Sequence, residues 1–267
     1  NMSSYQARFR RARRFMDALA ELTERHPDEP YLQGWVAATR GGFAYFRGEF
    51  AECEAHMQAA LAGFGRVRGA TWERNNSNLF ALFGLRYQGR LRELARQVAA
   101  LQRDAERRGD LYMKVNLQRY GGHYGALLAD RPEEAWENLE RAVWPAPAET
   151  FHLQDWQRLE ARCSILLYEG RAADGRERAE AELAALDGSL LTRIHTIRSS
   201  AAFIRGRLLL GSAPDEGERR AVRRLARGLA RRGGFVAAFG ALLRAGEAEQ
   251  RGDREAVVEA YRAALAI

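Results

Sequence analysis

The chain has 267 residues, with 42 Lys and Arg against 35 Asp and Glu, and hydrophobic residues make up 46% of it. This apolar content is too high for a disordered chain, so the sequence predicts a folded protein with a large buried core. It has no long uncharged apolar run and no signal peptide, so we expect a cytoplasmic protein without a membrane span. Cys53 and Cys163 are far apart and lack CxxC spacing, which argues against a disulfide framework and a structural zinc site.

The positive charge is concentrated in two segments. Five arginines fall within residues 8–14 and seven within residues 219–232, and neither segment contains an acidic residue. The remainder of the chain has a slight excess of acidic residues, so the basicity is local. This distribution weakens the interpretation of the net positive charge as a sign of nucleic-acid binding.

A turn-like triplet recurs along the chain at intervals of 40 or 41 residues. Its first residue is Gly48, Gly89, Asp130, Gly170, Gly211 and Gly252 in turn. Glycine is favoured there because the residue just past a helix end often has a positive φ, which a short polar residue such as aspartate also tolerates. Each triplet lies between two segments with helical spacing of apolar residues, so it predicts a tight turn between antiparallel helices.

Counting outward from these turns places the first helix of each hairpin at 31–47, 72–88, 112–129, 153–169, 191–210 and 234–251. A helical pattern over residues 5–25 has no first helix before it. We therefore predict a partial repeat over residues 1–26 and six hairpins over residues 30–267, all in one solenoid domain that is a piece of a longer protein. The fifth turn is longer, and Asp215 or Glu216 is expected to cap the helix after it.

Residues 44–50 (AYFRGEF) and 248–253 (AEQRGD), followed by Ala60-Leu61 and Ala264-Leu265, resemble the turn and second helix of tetratricopeptide repeats. The resemblance implies an all-α, right-handed superhelical solenoid of about six tetratricopeptide-like hairpins with a period of about 41 residues. Such a period is similar to that of repeat regions in large bacterial signalling ATPases of the maltose-regulator type and in multidomain Ser/Thr kinases. HEAT-like repeats are the alternative fold, and the glycine-centred turn favours the tetratricopeptide one.

The common catalytic motifs, among them the P-loop, HExxH and GxSxG, are absent from the sequence. The five histidines fall in different repeats, and no two have the spacing that would place them on one helical face as metal ligands. Glu177, Glu180 and Glu182 lie among arginines, where solvated ion pairs are the simplest interpretation. We therefore predict a protein that is not an enzyme and holds no metal or cofactor.

In a tetratricopeptide stack the first helices line the concave side, so their inward positions are candidates for a ligand groove. By register from each turn, these positions are Trp35, Tyr45, Asn76, Arg86, Tyr120, Tyr124, Gln157, Arg198 and Arg205. Amides, aromatic rings and guanidinium groups can hold a peptide backbone, a carboxylate or a flat apolar group. Tyr120 and Tyr124 are four residues apart and are expected to share one helical face, and packing between repeats is the alternative for both rings.

Repeats without catalytic motifs predict a scaffold that binds a protein, a peptide or a small effector, as the sensor or interaction region of a larger bacterial regulatory protein. The alternative is binding of nucleic acid or another acidic partner through the helix 219–232. One face of that helix carries Arg220, Arg223, Arg224, Arg227 and Arg231, and the other carries Val222, Leu225, Ala226 and Leu229. A solvated outer face explains the same pattern, and an enzyme with an active site between repeats is a third possibility.

Overall fold

The computed structural model describes the backbone of residues 2–143 and 150–267, and the side chains of the same residues except 2–10 and 12. The regular structure in these residues is helical, and they include no strand, which confirms the all-α prediction. The side chains of Arg8 and Arg10, in the predicted N-terminal basic segment, lie outside this description. In the described part of the chain no helix is both long enough and apolar enough to cross a membrane.

The helices run in chain order as α1 (Met2–Arg25), α2 (Pro30–Arg47), α3 (Phe50–Phe64), α4 (Thr71–Tyr87), α5 (Leu91–Arg108), α6 (Leu111–Tyr120), α7 (Gly122–Leu128), α8 (Pro132–Glu140), α9 (Leu153–Tyr168), α10 (Ala172–Asp187), α11 (His195–Gly211), α12 (Glu216–Ala230), α13 (Phe235–Gln250) and α14 (Arg254–Leu265). A 3₁₀ helix, Leu190–Arg193, lies between α10 and α11. The bounds of α2, α4, α9 and α13 agree to within one residue with the first helices predicted from the turns.

The turns have the backbone conformation that their residue types predict. Gly48, Gly89, Gly170 and Gly252 have φ values of 86°, 71°, 69° and 72°, and Asp130 has a φ of 54°. These left-handed residues end a helix because their N–H groups, or the next ones, bond back to its last carbonyls. The Gly48 N–H, for example, donates to the Tyr45 carbonyl over 3.1 Å.

The fifth turn differs from the prediction. Gly211 is the last residue of α11, and the positive φ, 50°, falls on Ala213 instead. The lengthened turn has shifted the left-handed residue further along the chain. The Asp215 carboxylate accepts the Glu218 N–H over 2.8 Å, and the Glu218 carboxylate accepts the Asp215 N–H over 3.1 Å. Asp215 is therefore the N-cap of α12, in a capping box, and Glu216 is the first helical residue.

The predicted helix 112–129 is broken at Gly121, so it was wrong as one continuous segment. Gly121 has φ −125°, and a Cβ there would lie 2.6 Å from Cγ2 of Val98. Close packing of another helix at a glycine lets the chain change direction, which ends α6 and begins α7. Tyr120 and Tyr124 therefore lie on two helices and do not share one continuous face.

The predicted helix 191–210 is also interrupted. The Ser189 hydroxyl accepts the Leu191 N–H over 3.2 Å and starts the 3₁₀ helix, and Ile194 then has extended backbone angles of −80° and 112°. The α-helix α11 begins only at His195. A serine that bonds to the backbone two residues ahead favours such a local turn over continuous helix.

The chain forms two compact units, Asn1–Gln97 and Val98–Ile267, with the boundary inside α5. Among the described residues of the first unit, one hydrophobic cluster lies around Tyr45, Cys53 and Met57 and another around Ala60 and Phe64. Helices α2 and α3 approach closely at two glycines, since a Cβ on Gly63 would lie 2.8 Å from the Cα of Gly34. Shape complementarity and aromatic packing therefore hold this unit together.

The second unit has a core shared by α9, α10 and α11, a second between α11, α12 and α13, and a smaller one that joins α7, α8 and α9. Val222, Ala226 and Leu229 of α12 are buried and Leu225 is half-buried, as the sequence predicted for that face. Helix α9 also packs against α6. This last contact brings charged side chains of both helices to the same place.

Candidate functional site

The predicted groove residues Trp35 and Asn76, in the first unit, both contact Trp72. The rings of Trp35 and Trp72 are 6.4 Å apart, and Nδ2 of Asn76 donates to the Trp72 carbonyl over 2.8 Å. Trp35 is half-buried against Phe64, and the Trp72 ring is 59% exposed. The structure therefore brings these two predicted residues into one aromatic neighbourhood.

The other two groove candidates in the first unit lie elsewhere. Tyr45 is buried in a cluster of aromatic rings that includes Phe80 and Phe83, so a ligand has no access to it in this conformation. The Arg86 guanidinium lies 5.7 Å from the ring centre of Tyr87, a cation–π distance. Tyr45 thus has the packing role that aromatic residues usually have in repeat helices.

In the second unit the predicted groove residues are dispersed. Tyr120 and Gln157 are buried, Tyr124 is half-buried and Arg198 is exposed. The Arg205 guanidinium binds two carboxylates of α10. Its Nε lies 3.0 Å from Glu180, and its Nη2 lies 3.3 Å from Asp187. Arg205 is therefore occupied by the protein itself.

The contact between α6 and α9 is unusually polar. Asn116 and Arg119 of α6 are buried, as is Gln157 of α9. Oδ1 of Asn116 and Oε1 of Gln157 are buried without a hydrogen-bond partner among the described residues. A buried acceptor without a donor destabilises a fold by about 1–3 kcal/mol, so folding alone does not favour these residues here.

Arg119 is the most buried arginine of this contact, at 5% exposure. Its Nε donates to the Ala142 carbonyl over 3.0 Å, whereas Nη1 makes no hydrogen bond within the described structure and lies 3.7 Å from Oδ1 of Asp155. Burial and the positive charge of Arg158 lower the pKa of Arg119, and Asp155 opposes this shift. The guanidinium is thus held next to a second positive charge with only a distant carboxylate to compensate.

Arg158 is half-buried and makes no ion pair or hydrogen bond with any residue that the structure describes. The nearby Glu182 is already bound, because it accepts from Arg162 over 2.9 and 2.6 Å and from Arg178 over 3.3 Å. Burial raises the pKa of Glu182, but its hydrogen bond with Arg162 and the charges of Arg162 and Arg158 lower it below the usual value. The prediction of a merely solvated ion pair at Glu182 is therefore wrong.

A pocket of about 1030 Å³ lies between the start of α9, the second half of α10 and the 3₁₀ helix. Arg119, Arg158 and Glu182 are among the residues that line it. Among the described residues its lining comprises Arg119, Thr150, Phe151, His152, Leu153, Asp155, Arg158, Arg178, Ala181, Glu182, Ala184, Ala185, Gly188, Ser189, Leu190 and Leu191. Asp155 is itself engaged, since Oδ2 accepts the His152 N–H over 3.0 Å at the N-cap of α9. Both carboxylates of the lining are thus used within the protein, and the arginines keep free donors.

The arginines of α12 form a second charged region. Arg220, Arg224, Arg227 and Arg231 are exposed, and Arg231 follows the last helical residue. Arg223 differs from the other predicted members of the basic face because it is bound by Glu216 over 2.7 Å and by the buried Glu247 over 2.6 Å. The exposed face is therefore the predicted one without Arg223.

Sequence reasoning did not find Arg119, Arg158 or Asp155. The spacing of Asp155, Arg158 and Arg162 places them on one face of a helix. This signal is weak, because arginines occur at similar spacing on most helices of the chain. Contacts between helices decide which guanidinium group lacks a carboxylate partner, and helical spacing does not show these contacts.

Within the described ranges, no group of three or more His, Cys, Asp or Glu side chains is arranged to hold a metal ion. Comparisons of the chain with protein-family models, with curated proteins and with solved structures give no match.

Proposed function

We propose that the protein is a non-catalytic binding module of tetratricopeptide-like hairpins, and that its second unit binds an effector through an anionic group. The helix order and the recurring left-handed turn residues support a repeat organisation. The observation that carries the binding proposal is the pair Arg119 and Arg158, which face one pocket without a hydrogen-bonded carboxylate. The resemblance noted in the sequence favours a sensor or interaction region of a larger regulatory protein.

The electrostatics of the pocket favour an anion. Two guanidinium groups in one partly buried site repel each other, and burial removes the water that would screen them. A carboxylate or phosphate can accept hydrogen bonds from both groups, and such charge-assisted bonds are about twice as strong as neutral ones. The pocket volume of about 1030 Å³ exceeds what a single small anion fills, which favours a larger ligand that carries the anionic group.

The test measures the melting temperature of the full chain with sodium acetate or sodium phosphate, at an ionic strength held constant with sodium chloride. We expect either anion to raise the melting temperature, because a ligand that binds only the folded state stabilises it. Arg119→Met and Arg158→Met should each remove this rise. Methionine keeps much of the side-chain volume and removes the donors.

The matched control is Arg224→Met, which removes an exposed arginine from α12 in the same unit. This variant should keep the full response to both anions. If neither anion stabilises the unmodified protein more than chloride does, the proposal of an anion site is wrong. An equal loss of response in the Arg224→Met variant would also contradict it, because the effect would then be one of net charge.

A second candidate function is binding of nucleic acid through α12. Its specific support is that Arg224, Arg227 and Arg231 are exposed and make no ion pair within the described structure. Arginines of this kind bind phosphates and release counterions. Affinity for duplex DNA should then fall with salt with a log–log slope of about −0.9 per phosphate neutralised.

The two candidates predict opposite patterns of loss. Arg224→Gln combined with Arg227→Gln should flatten the salt dependence of DNA binding and leave the acetate response intact. Arg119→Met should remove the acetate response and leave the salt dependence of DNA binding unchanged. No binding to duplex DNA at low salt would eliminate the second candidate.

A further inference from the structure

The arginine pocket has a charged end and an apolar end. Arg158, Arg178 and Glu182 lie together at one end, since Glu182 binds Arg178 and its pKa is affected by Arg158. Along α10 the lining then continues to Gly188, six residues further and about 9 Å away at 1.5 Å per residue. The pocket is therefore an elongated groove along α10.

The far end of the groove is lined by hydrophobic side chains. Phe151 and Leu191 pack against the core of α9, α10 and α11, which fixes them in place. Leu190, the chain neighbour of Leu191, also lines the groove and has 71% of its surface exposed. Between Glu182 and Gly188, the α10 side of the groove carries the small residues Ala184 and Ala185. The lining on α10 after Glu182 therefore carries no charged side chain among the described residues.

From this arrangement we infer that the ligand of the pocket is a small amphipathic carboxylate, with its carboxylate at Arg119 and Arg158 and its alkyl chain along α10 to Leu190. This inference rests on the proposed anion site and adds the class of ligand. A monoanion fits better than a phosphate dianion, because Asp155 and Glu182 already supply two negative charges to the lining. The chain would cover Leu190, whose surface is 71% exposed among the described residues.

The experiment measures dissociation constants by calorimetry on the full chain with acetate, phosphate, octanoate and octyltrimethylammonium. Each methylene group that becomes buried tightens binding roughly fourfold. Octanoate has about six more methylene groups than acetate, and burial of about half of them would make it bind on the order of a hundredfold more tightly than acetate or phosphate. Octyltrimethylammonium has the same alkyl chain with a positive head group and should bind far more weakly than octanoate.

The matched variants separate the two ends of the groove. Leu190→Gln should weaken octanoate binding about tenfold, the loss of one or two methylene contacts, and leave acetate binding unchanged. Leu128→Gln replaces another leucine of the second unit that is 46% exposed and lies outside the pocket lining, and it should alter neither constant. Both leucines are exposed, so their replacement should leave the melting temperature of the protein unchanged.

Equal affinities for acetate, phosphate and octanoate would overturn the inference while the anion site stands. Equal affinities for octanoate and octyltrimethylammonium would also overturn it, because the alkyl chain alone would then drive binding. If none of the four probes binds, the proposed function itself has failed.

Discussion

The two units solve the same packing problem with different chemistry. In the first, α2, α3 and α4 meet through aromatic rings and small residues, with Phe64 only 1% exposed and two glycines at the helix crossing. In the second, α6 meets α9 through asparagine, glutamine and arginine side chains, several with unused donors or acceptors. The first arrangement maximises stability, whereas the second retains buried polar groups that stability alone does not favour.

This difference indicates where function is located. Proteins tolerate locally unfavourable interactions at sites where activity requires them, and offset them with packing elsewhere. This contrast supports the proposal that the polar contact of α6 and α9, next to the arginine pocket, serves ligand binding in the second unit.

The largest expected effect is in the first unit. Phe64→Ala should lower the free energy of unfolding by about 3–5 kcal/mol, because it opens a cavity among Tyr31, Trp35 and the crossing helices. Arg119→Met, at a similarly buried position of the second unit, should cost less, about 1–2 kcal/mol, because the lost hydrogen bond to the Ala142 carbonyl is partly offset by removal of a poorly compensated charge. Urea denaturation of both variants makes the comparison. A larger loss of unfolding free energy in Arg119→Met than in Phe64→Ala would contradict this expectation.

The well-paired charges of the second unit should behave differently from Arg119. Glu182→Gln should destabilise the protein by about 3 kcal/mol, because it leaves the Arg162 guanidinium, whose side chain is 8% exposed, without its carboxylate. Glu177→Gln, at an exposed position of the same helix, should change stability by no more than about 0.5 kcal/mol. Equal effects would mean that the bidentate pair contributes nothing.

The same carboxylate predicts a dependence on acidity. The folded state lowers the pKa of Glu182 below its ordinary value of 4.5, so its stabilisation is present above that pH and is lost as the pH falls through the folded-state pKa. Stability measured from pH 6 down to pH 3 should therefore fall less steeply in Glu182→Gln than in the unmodified protein. Parallel curves would show that Glu182 does not contribute to acid unfolding.

A smaller effect tests the helix crossing of the first unit. Gly63→Ala should cost about 1–3 kcal/mol, because the added Cβ would lie 2.8 Å from the backbone of Gly34 and the helices would have to separate. The control, Gly42→Ala on α2, meets no atom within 4 Å and should stabilise the protein by up to about 1 kcal/mol through helix propensity. Thermal denaturation distinguishes the two. If Gly63→Ala stabilises the protein as Gly42→Ala does, the crossing of α2 and α3 is not tightly packed.

Local chemistry made part of the fold predictable from sequence. The turns at Gly48 and Asp130 and the cap at Asp215 depend on the backbone preferences of a few adjacent residues, which the sequence displays directly. The break at Gly121 depends on Val98, which is distant in sequence, so helical periodicity could not reveal it. The sequence showed that the fifth turn is longer than the others. It did not show that Ala213 has the left-handed conformation.

The candidate site was less predictable than the fold. Register from the turns selected Tyr45 and Gln157, but burial is decided by which helix packs on each face, and both residues are covered. The unpaired state of Arg158 depends on Glu182 being taken by two other arginines. The sequence alone does not show which of several arginines pairs with a given carboxylate.

The most direct test of the central claim is the unfolding free energy of Arg158→Met, measured by urea denaturation in the absence of added carboxylate or phosphate. If Arg158 is kept next to Arg119 for a ligand and not for the fold, removing its charge relieves repulsion within the protein. The variant should then be more stable than the unmodified protein, by about 0.5–2 kcal/mol, the range that single stabilising substitutions commonly give. A loss of stability of about 1 kcal/mol or more would contradict this prediction, because Arg158 would then have a structural role.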